Sequence, residues 1–154
     1  MNDINVPFKK AELNLVQHNQ RKQFGSHANI RCNKHRILVV DADITIRETV
    51  AKFLESFGYK VSKAEDGIAT MSHLATAQYE LVVTSYNIPV MNGYRLTHWI
   101  KQETPLTKVI IMTAACQAEV HHLMATGLVD TWLFKPFGCE ELRESLNYLG
   151  LPAK

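Results

Sequence analysis

Residues 81–93 read Leu-Val-Val-Thr-Ser-Tyr-Asn-Ile-Pro-Val-Met-Asn-Gly, a short apolar run that passes through a loop into a helix start. An apolar run of this length, such as 81–84, is typical of a strand buried on both faces of a sheet. The pair Asn92 and Gly93 predicts that a helix begins at the end of the stretch. The segment therefore has the form of one strand-loop-helix unit.

Four more runs of the same kind divide the chain from residue 36 onward. They predict strands at 37–40, 60–64, 109–112 and 131–134. Apolar residues at helical spacing follow each strand, so five helices alternate with five strands. This alternation predicts an α/β doubly wound fold, a parallel sheet with helices on both faces. In such folds the functional site lies beyond the carboxyl ends of the strands.

The first predicted helix has both a start signal and a stop signal. The segment Thr45-Ile-Arg-Glu48 has the form of a capping box, with Thr45 as the N-cap residue. Gly58 stands where this helix is expected to end.

The composition indicates an ordinary domain with a packed core. The chain has 154 residues, of which 46% are hydrophobic. No apolar run approaches the roughly 18–20 residues of a membrane-spanning helix, and the first residues lack the apolar stretch of a secretory signal. Cys32, Cys116 and Cys139 are far apart and indicate neither a disulfide framework nor a zinc site. We therefore expect a cytoplasmic protein with no membrane contact.

The charge is distributed unevenly along the chain. Residues 1–36 contain seven Lys and Arg against two acids, a net charge of +5, whereas the remaining residues have ten basic and thirteen acidic side chains, a net charge of −3. Residues 1–35 are thus predicted to form a basic N-terminal extension. Pro7 and Gly25 bracket a partial helical stripe within it. The tail is either a solvated segment or a contact for nucleic acid or an acidic protein, and nucleic acid is the less favoured partner because no recognition motif accompanies the charge.

Polar side chains end four of the predicted strands. Asp41-Ala42-Asp43 follows the first strand, Ser85 the third, Thr113 the fourth, and Lys135 the fifth. At these positions the chain resembles the receiver domain of two-component response regulators, the chemotaxis-regulator-like family. The resemblance covers about residues 36–149 and rests on Asn-Ile-Pro-Val-Met-Asn-Gly at 87–93, on Lys-Pro-Phe at 135–137, and on the spacing of the four strand ends. It implies a flavodoxin-like sheet in the order 2-1-3-4-5, within a domain that spans 36–154.

The resemblance also implies a phosphoryl-accepting pocket, which this sequence matches only in part. In the family, an acidic pair follows the first strand, and an aspartate at the end of the third strand accepts a phosphoryl group from a histidine kinase with the help of Mg²⁺. Asp41 matches the first acid, Thr113 the conserved hydroxyl, and Lys135 the lysine. Ala42 replaces the second acid, and Ser85 replaces the acceptor.

These two replacements predict that phosphorylation of the usual kind is lost or severely impaired. Mg²⁺ favours carboxylate oxygen, which Ala42 does not supply. The hydroxyl of Ser85 is protonated at neutral pH and needs an adjacent base, and no His lies near it in sequence. We therefore expect a metal-free pocket, without a cofactor, in which Asp41 contacts Lys135 directly. Asp43 is either a substitute metal ligand or, as we favour, a residue of the helix start.

For three further residues, the sequence allows two roles each. Thr113 and Lys135 either act as structural hydrogen-bond partners or retain an anion-binding role. Trp132, three residues before Lys135, matches the aromatic switch position of the family and is either a switch or a partly exposed anchor on the face formed by the fourth helix, fifth strand and fifth helix.

The combined hypothesis is a non-enzymatic, single-domain receiver-like protein in two-component signalling. It would act by protein binding, independently of phosphorylation, and its partner would be a histidine kinase, another regulator or a second copy of itself. One alternative keeps phosphoryl transfer, with Mg²⁺ and a non-standard acceptor. A further alternative is nucleic-acid contact through the basic tail.

Overall fold

A computed structural model of the chain describes residues 36–153, and these form one five-stranded parallel sheet. The strands are β1 (Arg36–Val40), β2 (Lys60–Ala64), β3 (Leu81–Ser85), β4 (Lys108–Thr113) and β5 (Thr131–Phe134). Their order in the sheet is β2-β1-β3-β4-β5, and every neighbouring pair is parallel. The predicted doubly wound sheet with order 2-1-3-4-5 is confirmed.

Five helices alternate with the strands, as the sequence pattern predicts. They are α1 (Ile44–Ser56), α2 (Gly67–Thr76), α3 (Gly93–Glu103), α4 (Gln117–Met124) and α5 (Cys139–Tyr148). No helix among residues 36–153 is both long and apolar enough to cross a membrane. The extension 1–35, with its predicted helical stripe, lies outside the described residues, so its structure and its contacts stay predictions.

The core has two halves because successive side chains of a strand point to opposite faces of the sheet. Ile37 and Val39 of β1 pack with α1 and α5, in a cluster that includes Leu54 and Leu142. Leu38 and Val40 pack on the other face with α2 and α3. These four side chains are fully buried, which explains why residues 37–40 form a continuous apolar run.

Helix α1 begins one residue after Asp43, not at Thr45. The Asp43 carboxylate accepts hydrogen bonds from the backbone N–H groups of Thr45 and Ile46, at 2.7 and 3.4 Å. Glu48, the expected partner in a capping box, instead pairs with Lys63 at 2.8 Å. The predicted capping box is therefore wrong, since the helix begins earlier and Asp43 is the residue that accepts from the first-turn N–H groups.

The start of α3 packs closely against the end of β3. A Cβ atom at Gly93 would lie 2.4 Å from the carbonyl oxygen of Ser85 and 3.2 Å from the Cα of Tyr86. These neighbours are backbone atoms that cannot turn aside, so the position requires glycine. The N–H of Gly93 also donates to the carbonyl of Tyr86 at 2.7 Å, which holds the β3–α3 loop next to the pocket described below.

Candidate functional site

The carboxyl ends of the parallel strands meet at one edge of the sheet and bring three polar side chains together. Asp41 follows β1, Ser85 ends the neighbouring strand β3, and Lys135 follows β5. Strand β4 lies between β3 and β5, so the contact is made by the long lysine side chain, which reaches across that strand. Asp41 and Ser85 are only 4% and 3% exposed.

Asp41 accepts hydrogen bonds at both carboxylate oxygens. Its Oδ1 accepts from the backbone N–H of Asp43 at 2.8 Å. Its Oδ2 accepts from the hydroxyl of Ser85 and forms an ion pair with Lys135 Nζ at 3.3 Å. The backbone carbonyl of the same residue accepts from the guanidinium of Arg47. The buried carboxylate is therefore satisfied entirely by groups of the protein.

Ser85 completes a closed triangle with the two charged residues. Its hydroxyl donates to Asp41 and accepts from Lys135 Nζ at 2.9 Å. We call Asp41, Ser85 and Lys135 the pocket triangle. The predicted Asp41–Lys135 contact is present, but the role of Ser85 in it was missed. The partner of the hydroxyl is Asp41, which is not a sequence neighbour of Ser85, and the meeting of β1 and β3 at one sheet edge was the signal for this contact.

Thr113 lies at the same edge and organises the backbone after β4. Its hydroxyl accepts from the N–H of Ala115 at 3.1 Å, and its carbonyl accepts from the backbone N–H of Lys135 at 2.8 Å. The side chain is 3% exposed. These contacts match the structural interpretation of Thr113, while its role in anion binding stays a prediction.

Asp43 turns its side chain to the start of α1. The residue is exposed, and its carboxylate Oδ1 is engaged by the two backbone N–H groups of the first turn. This is the helix-start role that the sequence favoured over a substitute metal ligand.

The side chains at this edge do not fit a magnesium site. Mg²⁺ requires near-octahedral oxygen coordination, usually with one or two carboxylates and several waters. The Asp41 carboxylate is engaged at both oxygens by an N–H, a hydroxyl and an ammonium group, Ala42 has no oxygen in its side chain, and Asp43 caps a helix. Among residues 36–153, no group of three or more His, Cys, Asp or Glu side chains is arranged to hold a metal ion.

Trp132 stands on β5, a few residues from the pocket triangle, and packs against the residue that follows Ser85. Its ring and that of Tyr86 lie 6.5 Å apart between centroids, at an interplanar angle of 34°. Both side chains are half-buried and cover the α2–α3 half of the core. The predicted partial exposure of Trp132 is confirmed. Tyr86, which contacts the Trp132 ring, directly follows Ser85 and so connects this ring to the backbone of the pocket triangle.

Curated relatives of the chain include bacterial sensor proteins. The chain is 34% identical over 111 residues to the sensor histidine kinase RcsC of Escherichia coli, an alignment that covers 72% of this chain and 12% of that protein. It is 28% identical over 116 residues to the sensor protein EvgS of the same organism, covering 75% of this chain and 10% of that protein. The chain thus spans only a small part of the length of these relatives.

Solved structures share the fold over almost their whole length. The chemotaxis response regulator CheY4 of Vibrio cholerae superposes with a TM-score of 0.67 at 28% identity, covering 73% of this chain and 96% of that one. The response regulator TrrA of Thermotoga maritima, solved in complex with Mg²⁺ and BeF, gives a TM-score of 0.68 at 28% identity, covering 75% and 98%.

Family membership follows from the extent of the match. Residues 37–147, which include all three members of the pocket triangle, match the family described as response regulator receiver domain. Domains of this family are generally non-enzymatic signalling modules that interact with histidine kinases and other signalling proteins. The chain belongs to the response regulator receiver domain family and is a receiver domain of two-component signalling.

Proposed function

We propose that this receiver domain acts as a protein-binding module that signals without forming an acyl phosphate. The observation that carries the proposal is the pocket triangle, in which the hydroxyl of Ser85 is hydrogen-bonded to both charged neighbours. The receiver resemblance assigns the acceptor position to this neutral serine. Phosphoryl transfer to a carboxylate needs an ionised acceptor and a metal that neutralises the charge of the phosphoryl group. The described residues of this pocket provide neither.

The charge of the pocket supports the same proposal. The receiver resemblance implies three acids around one lysine, whereas Asp41 and Lys135 here balance each other at 3.3 Å. A balanced, buried pair is stable without a cation, and it gives Mg²⁺ little electrostatic reason to enter. The pocket therefore stays in one arrangement instead of alternating between a free form and a phosphorylated form.

The proposed working surface is the region around Trp132 and its partner ring Tyr86. Half-buried aromatic side chains are favoured at protein interfaces because they bury a large area at little conformational cost. The partner would be a histidine kinase, another regulator or a second copy of the chain. Deletion of the Trp132 ring is expected to remove partner binding while the sheet remains folded.

The phosphorylation part is tested by incubation with acetyl phosphate and Mg²⁺, followed by intact mass measurement. The wild-type chain is expected to keep its mass. The double variant Ala42→Asp/Ser85→Asp restores both acids and serves as the positive control, which should gain a phosphate-sized mass that is lost at alkaline pH. An alkali-labile phosphate on the wild type would overturn the proposal. A stable phosphate that disappears in Ser85→Ala would instead establish the alternative of a non-standard acceptor.

The binding part is tested by capture from native cells with wild type, Trp132→Ala and Leu106→Ala. Leu106 is 93% exposed in the loop before β4, at the opposite edge of the sheet from the pocket triangle, and is the matched control for loss of an apolar side chain. A partner that is retained by Leu106→Ala and lost by Trp132→Ala supports the proposed surface. Equal capture by all three proteins would contradict it.

A further inference from the structure

Two large apolar side chains are exposed at the edge of the sheet that carries the pocket triangle. Ile44, the first residue of α1, is 63% exposed, and Val90, in the β3–α3 loop, is 56% exposed. Strands β1 and β3 are neighbours, so the two residues follow adjacent strand ends. We call this edge, where the strands end, the carboxyl edge. Exposed apolar side chains grouped in this way are typical of a surface that another segment covers.

Val90 has an unfavourable backbone conformation in addition to its exposed side chain. Its φ angle is 77°, in the left-handed region that glycine adopts easily and that a β-branched residue strongly disfavours. No other non-glycine residue among residues 36–153 has a positive φ angle. Strained residues of this kind are concentrated at contact and switch sites. The isolated domain gains nothing from valine at this position, whereas a segment packed against its side chain does.

The negative charge of the described domain is concentrated at the carboxyl edge. Between the end of each strand and the fourth residue of the next helix lie seven acidic and three basic side chains, a net charge of −4. These segments are 41–47, 65–70, 86–96, 114–120 and 135–142. The other described residues contain seven basic and six acidic side chains, a net charge of +1. The charge therefore favours a basic segment as the cover of this edge.

The basic extension of the same chain has both properties that this edge requires. Residues 1–35 contain six Lys and Arg against two acids, a net charge of +4. Their predicted helical stripe includes the apolar residues Phe8, Leu15 and Val16. The extension thus combines apolar side chains with a charge opposite to that of the carboxyl edge.

The extension is also long enough to reach this edge, although β1 begins at the opposite one. Ten residues, 26–35, separate Gly25, where the stripe is predicted to end, from the first residue of β1. Fully extended, they span about 33 Å. Helix α1, which runs between the two edges of the sheet, has 13 residues and is about 20 Å long.

We propose that the basic extension docks on the carboxyl edge of its own domain, with its apolar residues against Ile44 and Val90. Its Lys and Arg side chains face acids of this edge such as Asp43 and Glu65. Because the segment is tethered to the domain, its effective concentration is high and a modest affinity suffices. The docked extension lies next to the pocket triangle and limits the access of other proteins to it. This docking does not depend on the chemistry of the pocket.

The test measures how a spin label on the extension weakens backbone amide signals in the NMR spectrum of the full chain. The three native cysteines are replaced by serine, and the label is attached to Gln17→Cys, next to the apolar stripe. The amide signals of Ile44 and Val90 are expected to lose intensity. Those of Lys60 and Leu81, which begin β2 and β3 at the opposite edge, are expected to keep theirs. Equal intensities at the two edges would overturn the proposal.

Two charge reversals separate the carboxyl edge from the rest of the domain. Glu65→Lys introduces a cation at the carboxyl edge, and Glu55→Lys makes the same change near the end of α1, at the opposite edge; both glutamates are exposed. The first variant is expected to reduce the loss of intensity at Val90 about twofold, because like charges then meet. The second is expected to leave it unchanged. An equal effect of the two reversals would contradict the docking site.

Val90→Gly tests the strained residue itself. The variant removes the apolar side chain and relieves the strain, so the loss of intensity at Ile44 is expected to fall about twofold while the midpoint of urea denaturation stays the same. An undiminished loss at Ile44 would refute the role of Val90.

A mixed sample identifies which copy the extension contacts. It combines spin-labelled chains without nitrogen-15 and unlabelled chains that contain nitrogen-15. No loss of intensity at Ile44 and Val90 is expected in this sample. A loss as large as that in the labelled chain itself would place the extension on a second copy and overturn the contact within one chain.

Discussion

The surroundings of Asp41 show how two replacements change the charge balance of a buried site. In the receiver pattern this residue shares its pocket with two more acids, and like charges in a buried site are unfavourable unless a cation offsets them. With Ala42 and Ser85 in their places, a single carboxylate remains, and one lysine offsets it. Under the proposed function, the same two replacements that remove negative charge from the pocket also remove the need for a cation there.

Lys135→Met tests the energetic role of the ion pair at the residue scale. The variant leaves the Asp41 carboxylate buried, with the hydroxyl of Ser85 and one backbone N–H as its remaining partners. We expect a loss of about 1–3 kcal/mol in the free energy of unfolding, measured by urea denaturation, because the lost bond leaves a buried charge undercompensated.

The control for this variant is Lys63→Met, which breaks an exposed ion pair with Glu48. Both of those side chains are about two-fifths exposed, at 39% and 41%. Exposed pairs contribute about 0–1 kcal/mol. A loss in Lys135→Met no larger than that in Lys63→Met would show that the pocket triangle is not a stabilising unit.

Asp43→Ala tests the start of α1 at the element scale. The variant removes the acceptor of two backbone N–H groups, and we expect it to lower the free energy of unfolding by about 1 kcal/mol, as is usual for a lost N-cap. Thr45→Ala is the control and should change stability by no more than about 0.5 kcal/mol. Both losses should be the same with and without Mg²⁺. A larger loss of stability in Thr45→Ala than in Asp43→Ala would support Thr45 as the N-cap residue. A loss in Asp43→Ala that depends on Mg²⁺ would indicate that Asp43 is a metal ligand.

The elements show which features the sequence alone could predict. The strand interiors were predictable because fully buried runs such as Ile37 to Val40 have a clear apolar pattern. The N-cap of α1 was not, because Asp43 and Thr45 are both good cap residues and only the path of the backbone decides between them. The same limit applies to the site. The contact between Asp41 and Lys135 could be predicted because both residues follow strand ends at the same edge of the sheet. The hydrogen bonds of Ser85 to these two residues could not, because they depend on side-chain geometry.

At the scale of the whole domain, the C-terminal segment closes the side of the sheet that carries α1 and α5. The hydroxyl of Tyr59, just before β2, donates to the carbonyl of Pro152 at 3.1 Å. The ammonium group of Lys108 donates to the carbonyl of Leu149, and Leu151 packs against the core cluster of α1 and α5. Residues 149–153 are therefore part of the folded domain. They connect the segment after α5 to the residue before the edge strand β2, which is far away in sequence.

Tyr59→Phe tests this closure and its dependence on pH. Burial, followed by the nearby charge of Glu80, raises the pKa of Tyr59 above its usual value near 10. The unfolded chain therefore loses this proton first, so the stabilising contribution of Tyr59 is present below pH about 10 and is lost as the pH rises through the raised pKa. We expect Tyr59→Phe to cost about 0.5–1.5 kcal/mol near neutral pH in urea denaturation and to show a smaller further loss at alkaline pH than the wild type. Tyr148→Phe, at a site 78% exposed, should follow the wild type; identical alkaline losses in all three proteins would refute the assignment.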